Sequence, residues 1–148
     1  MYALAITSWT HIFRGNYTAA NALVDELFAS ADEKGALYWK ALGMLLRGDL
    51  LALTSKAAEA VQTITSGINA QRSTGGTVLT PLHLSLSAKA YAGLGKFDDA
   101  WRCIGEAMTT METTKERLWE RRGRNWLNKK KSSTTTSDLA TEAKFLYG

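Results

Sequence analysis

The chain has 148 residues, 45% hydrophobic and 22% charged, a balance that fits one globular domain with a sizeable core and excludes a largely disordered chain. A single Pro, abundant Ala and Leu, and few β-branched runs favour helix throughout, because Ala and straight-chain residues lose little freedom in a helix. The net charge of +4 is local: residues 114–131 carry 8 basic and 2 acidic side chains, whereas residues 1–113 carry 9 basic and 10 acidic. Basicity confined to one segment is no general signature of nucleic-acid binding. The one cysteine, Cys103, can form no internal disulfide, and no secretory leader stands out, so the cytoplasm is the expected location. A membrane span needs roughly 18 apolar residues, and the best candidate run, residues 35–53, is broken by Lys40, Arg47 and Asp49.

In chain order, the first expected helix covers residues 2–14 and is closed by Gly15 and Asn16. The second, residues 17–34, carries Ala20, Leu23, Val24, Leu27, Phe28 and Ala31 at steps of three and four, one amphipathic stripe. Gly35 ends it. The third, residues 37–53, is apolar nearly all round and is expected to be the most buried. Thr54 or Ser55 is the expected cap of a fourth helix ending near Arg72, since a hydroxyl accepts first-turn amide hydrogens. Residues 73–78, with Gly75 and Gly76, read as a loop. Thr80-Pro81 opens the fifth helix, where Pro in the first turn loses no hydrogen bond, and Gly95-Lys96 ends it. The sixth runs from Phe97 to about Met111, with Asp98 and Asp99 at its positive end. A seventh is expected from Thr113 or Thr114. Residues 129–137 are polar and read as a linker, and residues 138–147 as a short closing helix with Leu139, Ala143, Leu146 and Tyr147 on one side.

A forty-residue period organises these elements. Gly15 to Ala20, Ser55 to Ala60 and Gly95 to Ala100 align; so do small Ser8, Gly48 and Ala88, and apolar Val24, Ile64 and Ile104. Each unit is a helix pair that cannot bury its apolar face alone, so stacking supplies the core and the outer faces supply binding surface. The small and Ala positions are the expected helix-crossing contacts.

Tyr91, Leu94-Gly95, Phe97, Ala100, Ile104 and Ala107 resemble the tetratricopeptide repeat: aromatic, Leu-Gly turn, aromatic, Ala, large apolar, Ala. The first unit repeats this with Leu4, Ser8, Gly15, Tyr17, Ala20, Val24 and Leu27. The second keeps Met44, Gly48, Leu51, Ala60 and Ile64 but lacks the turn glycine and second aromatic. The resemblance implies an all-α, right-handed α-α superhelix of about three helix pairs plus a C-terminal helix over residues 1–120, followed by a basic, Ser/Thr-rich tail at 121–148. More narrowly, Leu82 to Met108 with Glu112 to Arg117 looks like the C-terminal helical region of bacterial multidomain signalling proteins. In those, a class III adenylate or guanylate cyclase domain and an ATPase module precede the repeats. This resemblance implies a regulatory arm without catalytic residues, and the chain departs from it after Glu120, where Arg121 to Lys131 replaces the expected apolar helix.

The same resemblance implies a groove lined by the first helix of each pair: Tyr2, Ala5, Trp9 and Ile12, then Leu42, Leu45, Asp49 and Leu53, then Leu82, Ser85 and Lys89. Trp9, Asp49 and Lys89 share one register and would offer an aromatic anchor, an acid and a base to a protein or peptide partner. The plainer alternative is that packing covers Trp9 while both charges are solvated. Gly93-Leu94-Gly95-Lys96 lacks the spacing and the following Ser or Thr of a phosphate loop, so no nucleotide cofactor is expected. His11 and His83 sit at packing positions, Cys103 beside apolar Ile104, and the Asp98-Asp99 pair serves a helix start; no catalytic or metal site is expected. The segment 115–131, with Trp119 and Trp126 among basic residues, supports an alternative reading as a nucleic-acid-binding module. An apolar first helix with no covering element leads to an expectation of homodimers through the end helices.

Overall fold

The computed structural model describes residues 1–114, and the seventh helix, the 129–137 linker and the closing helix lie outside the described residues. Within them the chain is all-α: α1 (Tyr2–Phe13), α2 (Tyr17–Glu33), α3 (Leu37–Leu53), α4 (Ala57–Ser73), α5 (Thr80–Gly93) and α6 (Phe97–Thr114). The expected boundaries are met within about two residues except at the end of α6, which passes Met111 and continues to Thr114, so that Thr113 and Thr114, the expected start of a seventh helix, belong to α6 instead.

The turns explain the order. Gly15, Gly35, Gly75 and Gly95 all have positive φ, and Ser55 adopts the same left-handed backbone at φ 65°. One residue on, an amide donates to the carbonyl five residues back: Asn16 to His11 (2.9 Å), Ala36 to Ala31 (2.8 Å), Lys56 to Leu51 (3.0 Å), Gly76 to Gln71 (3.1 Å) and Lys96 to Tyr91 (2.9 Å). This is the Schellman arrangement, which satisfies carbonyls left over at a helix end. It recurs every twenty residues, so the forty-residue period divides into two halves with one turn chemistry.

The hydroxyl caps expected for α4 do not form. Thr54 Oγ1 instead donates back to Leu50 O (2.7 Å) in α3, Ser55 is taken up by the left-handed turn, and Lys56 holds the cap position without a side-chain bond. Only Asn16 behaves as such a cap in this half of the chain, its Oδ1 accepting from the Ala19 amide at 3.3 Å.

The chain forms two compact units, Met1–Val78 and a second beginning at Leu79. In the first, α2 packs on α1 and α3, and α3 on α4. Ala5, Ile12, Ala20, Val24, Leu27, Leu42, Leu46 and Leu50 form one core, each large side chain contributing about 1.5–3 kcal/mol by leaving water. The opposite side of α3 meets α4 at close range. A Cβ on Gly48 would stand 2.5 Å from Ile64 Cγ1 and 3.1 Å from its backbone nitrogen, and one on Gly67 would stand 2.9 Å from Leu45 Cγ. Gly48 and Ile64 are thus a crossing contact of the kind the repeat predicts, with Gly67 and Leu45 as its reciprocal.

In the second unit α5 packs on α6 through Ala88, Ala92, Ala100, Trp101, Cys103, Ile104, Met108 and Met111. Ala88 and Ile104, the equivalents of Gly48 and Ile64, share this core. The most enclosed helix is α5, with ten of 14 residues buried against nine of 17 in α3, contrary to the expectation from apolar content. The reason is position rather than charge: of the eight α3 residues not buried, only Lys40 and Arg47 are charged, and the other six, Leu37, Tyr38, Trp39, Met44, Leu51 and Leu53, are left partly or fully open by their neighbours.

Candidate binding surface

The face of α3 that packs on α2 is built from Leu42, Gly43, Leu46, Arg47 and Leu50. Leu42, Leu46 and Leu50 enter the core with Val24 and Leu27, and Gly43 makes room for the Phe28 ring, 3.3 Å from where its Cβ would lie. Arg47 closes the edge, with Nη1 donating to Asn21 Oδ1 (3.1 Å) and Nη2 paired with Asp25. Forty residues earlier the same register in α1 is Tyr2, Ala3, Ile6, Thr7 and Thr10. All five are exposed, and Phe13, the equivalent of Leu53, is exposed with them.

Tyr2 is 70% exposed, Ile6 40% and Phe13 66%, half of the exposed large hydrophobic residues among the described residues. Trp9 lies between them, partly buried against the first unit's core, and its Nε1 is buried with no hydrogen-bond partner among the described residues. The stripe Tyr2, Ile6, Trp9, Phe13 advances by four, three and four residues, the spacing of one helix face. At its N-terminal end Tyr2 meets the Trp39 ring edge-on at 6.4 Å, and Trp39 meets Tyr38 at 5.3 Å, so α1 leads into an aromatic edge on α3.

The groove residues expected from the sequence are placed unevenly. Tyr2 is open and Trp9 half-covered, whereas Ile12 and Leu42 are members of the core. Asp49 is enclosed, at 1% exposure, so the alternative in which it is merely solvated fails and a partner cannot reach it at the surface. Lys89, in the second unit, is partly buried, and desolvation holds its pKa below the ordinary lysine value. His83 is fully buried and His11 partly so, both as packing residues. Burial likewise raises the Cys103 thiol, opposed in part by a hydrogen bond with Ser87, and raises the Tyr91 phenol. Ile6 and Phe13 were not among the candidates. Their four-three-four spacing with Tyr2 and Trp9 was the signal available.

Among the described residues no group of three or more His, Cys, Asp or Glu is placed to hold a metal ion, and no helix is long and apolar enough to cross a membrane. No family model, curated protein or solved structure matches the chain. The class defined by the described residues is an all-α protein whose adjacent helices pack in the manner of a helical repeat.

Proposed function

We propose that the protein is a non-catalytic scaffold that binds other proteins by docking a helix onto α1. The observation that carries this reading is the register: the α1 positions equivalent to those α3 packs against α2 are exposed and uncharged, with Tyr2, Ala3 and Ile6 apolar and Thr7 and Thr10 neutral. A face of this kind takes an amphipathic helix, whose anchors at three- and four-residue steps fill it. Self-association through the same end is part of the proposal. The narrower resemblance supports a regulatory arm beside a bacterial cyclase or ATPase module, in the cytoplasm. The nucleic-acid alternative rests on residues 115–131, outside the described residues.

A partner captured by the full chain and verified by titration calorimetry tests the reading. Tyr2→Ala and Trp9→Ala should each weaken binding by about tenfold, the scale of one lost aromatic anchor. Unchanged affinity in both, with the helical circular dichroism intact, overturns it, as does cyclase or ATPase activity in the purified chain.

A further inference from the structure

We infer that the helix occupying the open face of α1 is α1 of a second copy, packed antiparallel about a two-fold axis; this rests on the docking role of α1 proposed above. Two observations favour a second copy over an unrelated helix, and a third selects α1 as the element that copy presents.

First, the stripe is symmetric under reversal. Tyr2, Ile6, Trp9 and Phe13 are spaced four, three and four, so an antiparallel copy brings Tyr2 of one chain opposite Phe13 of the other and Ile6 opposite Trp9, with every layer filled. A two-fold interface requires such self-complementarity, and alternating steps of three and four form a continuous interhelical seam.

Second, the face carries no formal charge. Ala3, Thr7 and Thr10 flank the stripe, and α1 has no acidic residue, so two copies meet without like charges opposed and with small side chains that let the helices approach. The exposed side of α2, with Asp25, Glu26, Asp32 and Glu33, has the opposite character and would be poor at pairing with itself. Third, the second helix that would cover this face in the repeat pattern is not free within the described first unit: the α2 stripe of Ala20, Val24, Leu27 and Ala31 is already buried. A second chain cannot present it without opening its own core, whereas it can present α1 at no such cost.

Sedimentation equilibrium of the full chain should show a mass rising with concentration from 16.2 kDa toward twice that value. Ile6→Glu, which would place a carboxylate in the seam, should raise the dimer dissociation constant at least about tenfold, while Ala22→Glu on the exposed side of α2 should leave it unchanged. Orientation is read by cross-linking in a Cys103→Ala background, with circular dichroism confirming that each variant is folded. In a twelve-residue helix the ends of the stripe stand about 16 Å apart. A mixture of Tyr2→Cys and Phe13→Cys chains should therefore form mixed disulfides rapidly, and either variant alone should not. A monomer at every concentration, an unchanged dimer in folded Ile6→Glu, or faster cross-linking of Tyr2→Cys with itself overturns the inference. If the chain is monomeric while Tyr2→Ala weakens a verified partner, the scaffold reading stands and only the second copy is refuted.

Discussion

Gly48→Ala places a methyl group into the tightest helix crossing of the first unit. Its Cβ would stand 2.5 Å from Ile64 Cγ1 and 3.1 Å from the Ile64 nitrogen. The side-chain carbon can rotate away, but the backbone nitrogen moves only if α4 moves. Overpacking of this kind costs about 1–3 kcal/mol, and the better helix propensity of Ala returns about 1 kcal/mol, so a net loss of up to about 2 kcal/mol is expected. Gly105→Ala is the matched control, because a Cβ there meets nothing within 4 Å and only the propensity gain of about 1 kcal/mol remains. Urea unfolding followed by circular dichroism should move the two midpoints in opposite directions at constant slope. Adding Ile64→Ala to Gly48→Ala should cost less than the two changes separately, by about 1 kcal/mol, since the second substitution removes the atom the first one strikes. If Gly48→Ala stabilises the protein as much as Gly105→Ala does, the crossing is not closely packed and the small-residue register has been misread.

Ser55→Gly should stabilise the protein by about 0.5–1 kcal/mol, because the left-handed backbone at φ 65° is strained for a residue with a Cβ; Gly35→Ala, at φ 59°, should cost a similar amount or more, both read from urea midpoints. Trp9→Phe deletes a buried, unmade donor and keeps most of the ring, so stability should change by less than about 1 kcal/mol; a loss above about 2 kcal/mol would show that the indole N–H is bonded. Cys103 is held protonated by burial above its ordinary value of 9.0, so the native state retains a proton the unfolded chain loses, and stability falls as pH rises above about 9. Tyr91 acts in the same sense above 10.0, whereas Lys89, lowered by burial, favours the native state increasingly as pH rises toward 10.5. Cys103→Ala should therefore flatten the decline near pH 9 in pH-dependent urea titrations, and native Cys103 should react with iodoacetamide far more slowly than the unfolded chain at about pH 8.

The fold was legible where one residue type has one physical job. Gly15, Gly35 and Gly95 mark left-handed turns, and Gly48 stands where α3 crosses α4, because a Cβ there would strike Ile64; its register mates Ser8 and Ala88 are buried with it. Ser55 shows the limit of that signal. It fills a glycine position at a tolerable strain, so composition suggested a hydroxyl cap where tertiary spacing demanded a turn, and the twenty-residue recurrence stayed hidden behind the forty-residue one. The binding surface was harder to read, because exposure depends on a helix's neighbours and not on its own residues. Leu42 and Tyr2 occupy one register, yet α2 covers the first and no described helix covers the second. Asp49 is the converse case: a charge marks solvent in most sequences, but at 1% exposure it belongs to the interior. Exposure in the first unit is thus decided by which helix lies beside which. The α3 equivalents of Tyr2 and Ile6, Leu42 and Leu46, are core, and that of Phe13, Leu53, packs partly buried against it; in α1 the three positions form an open, uncharged face, which the proposed second α1 would cover as α2 covers α3.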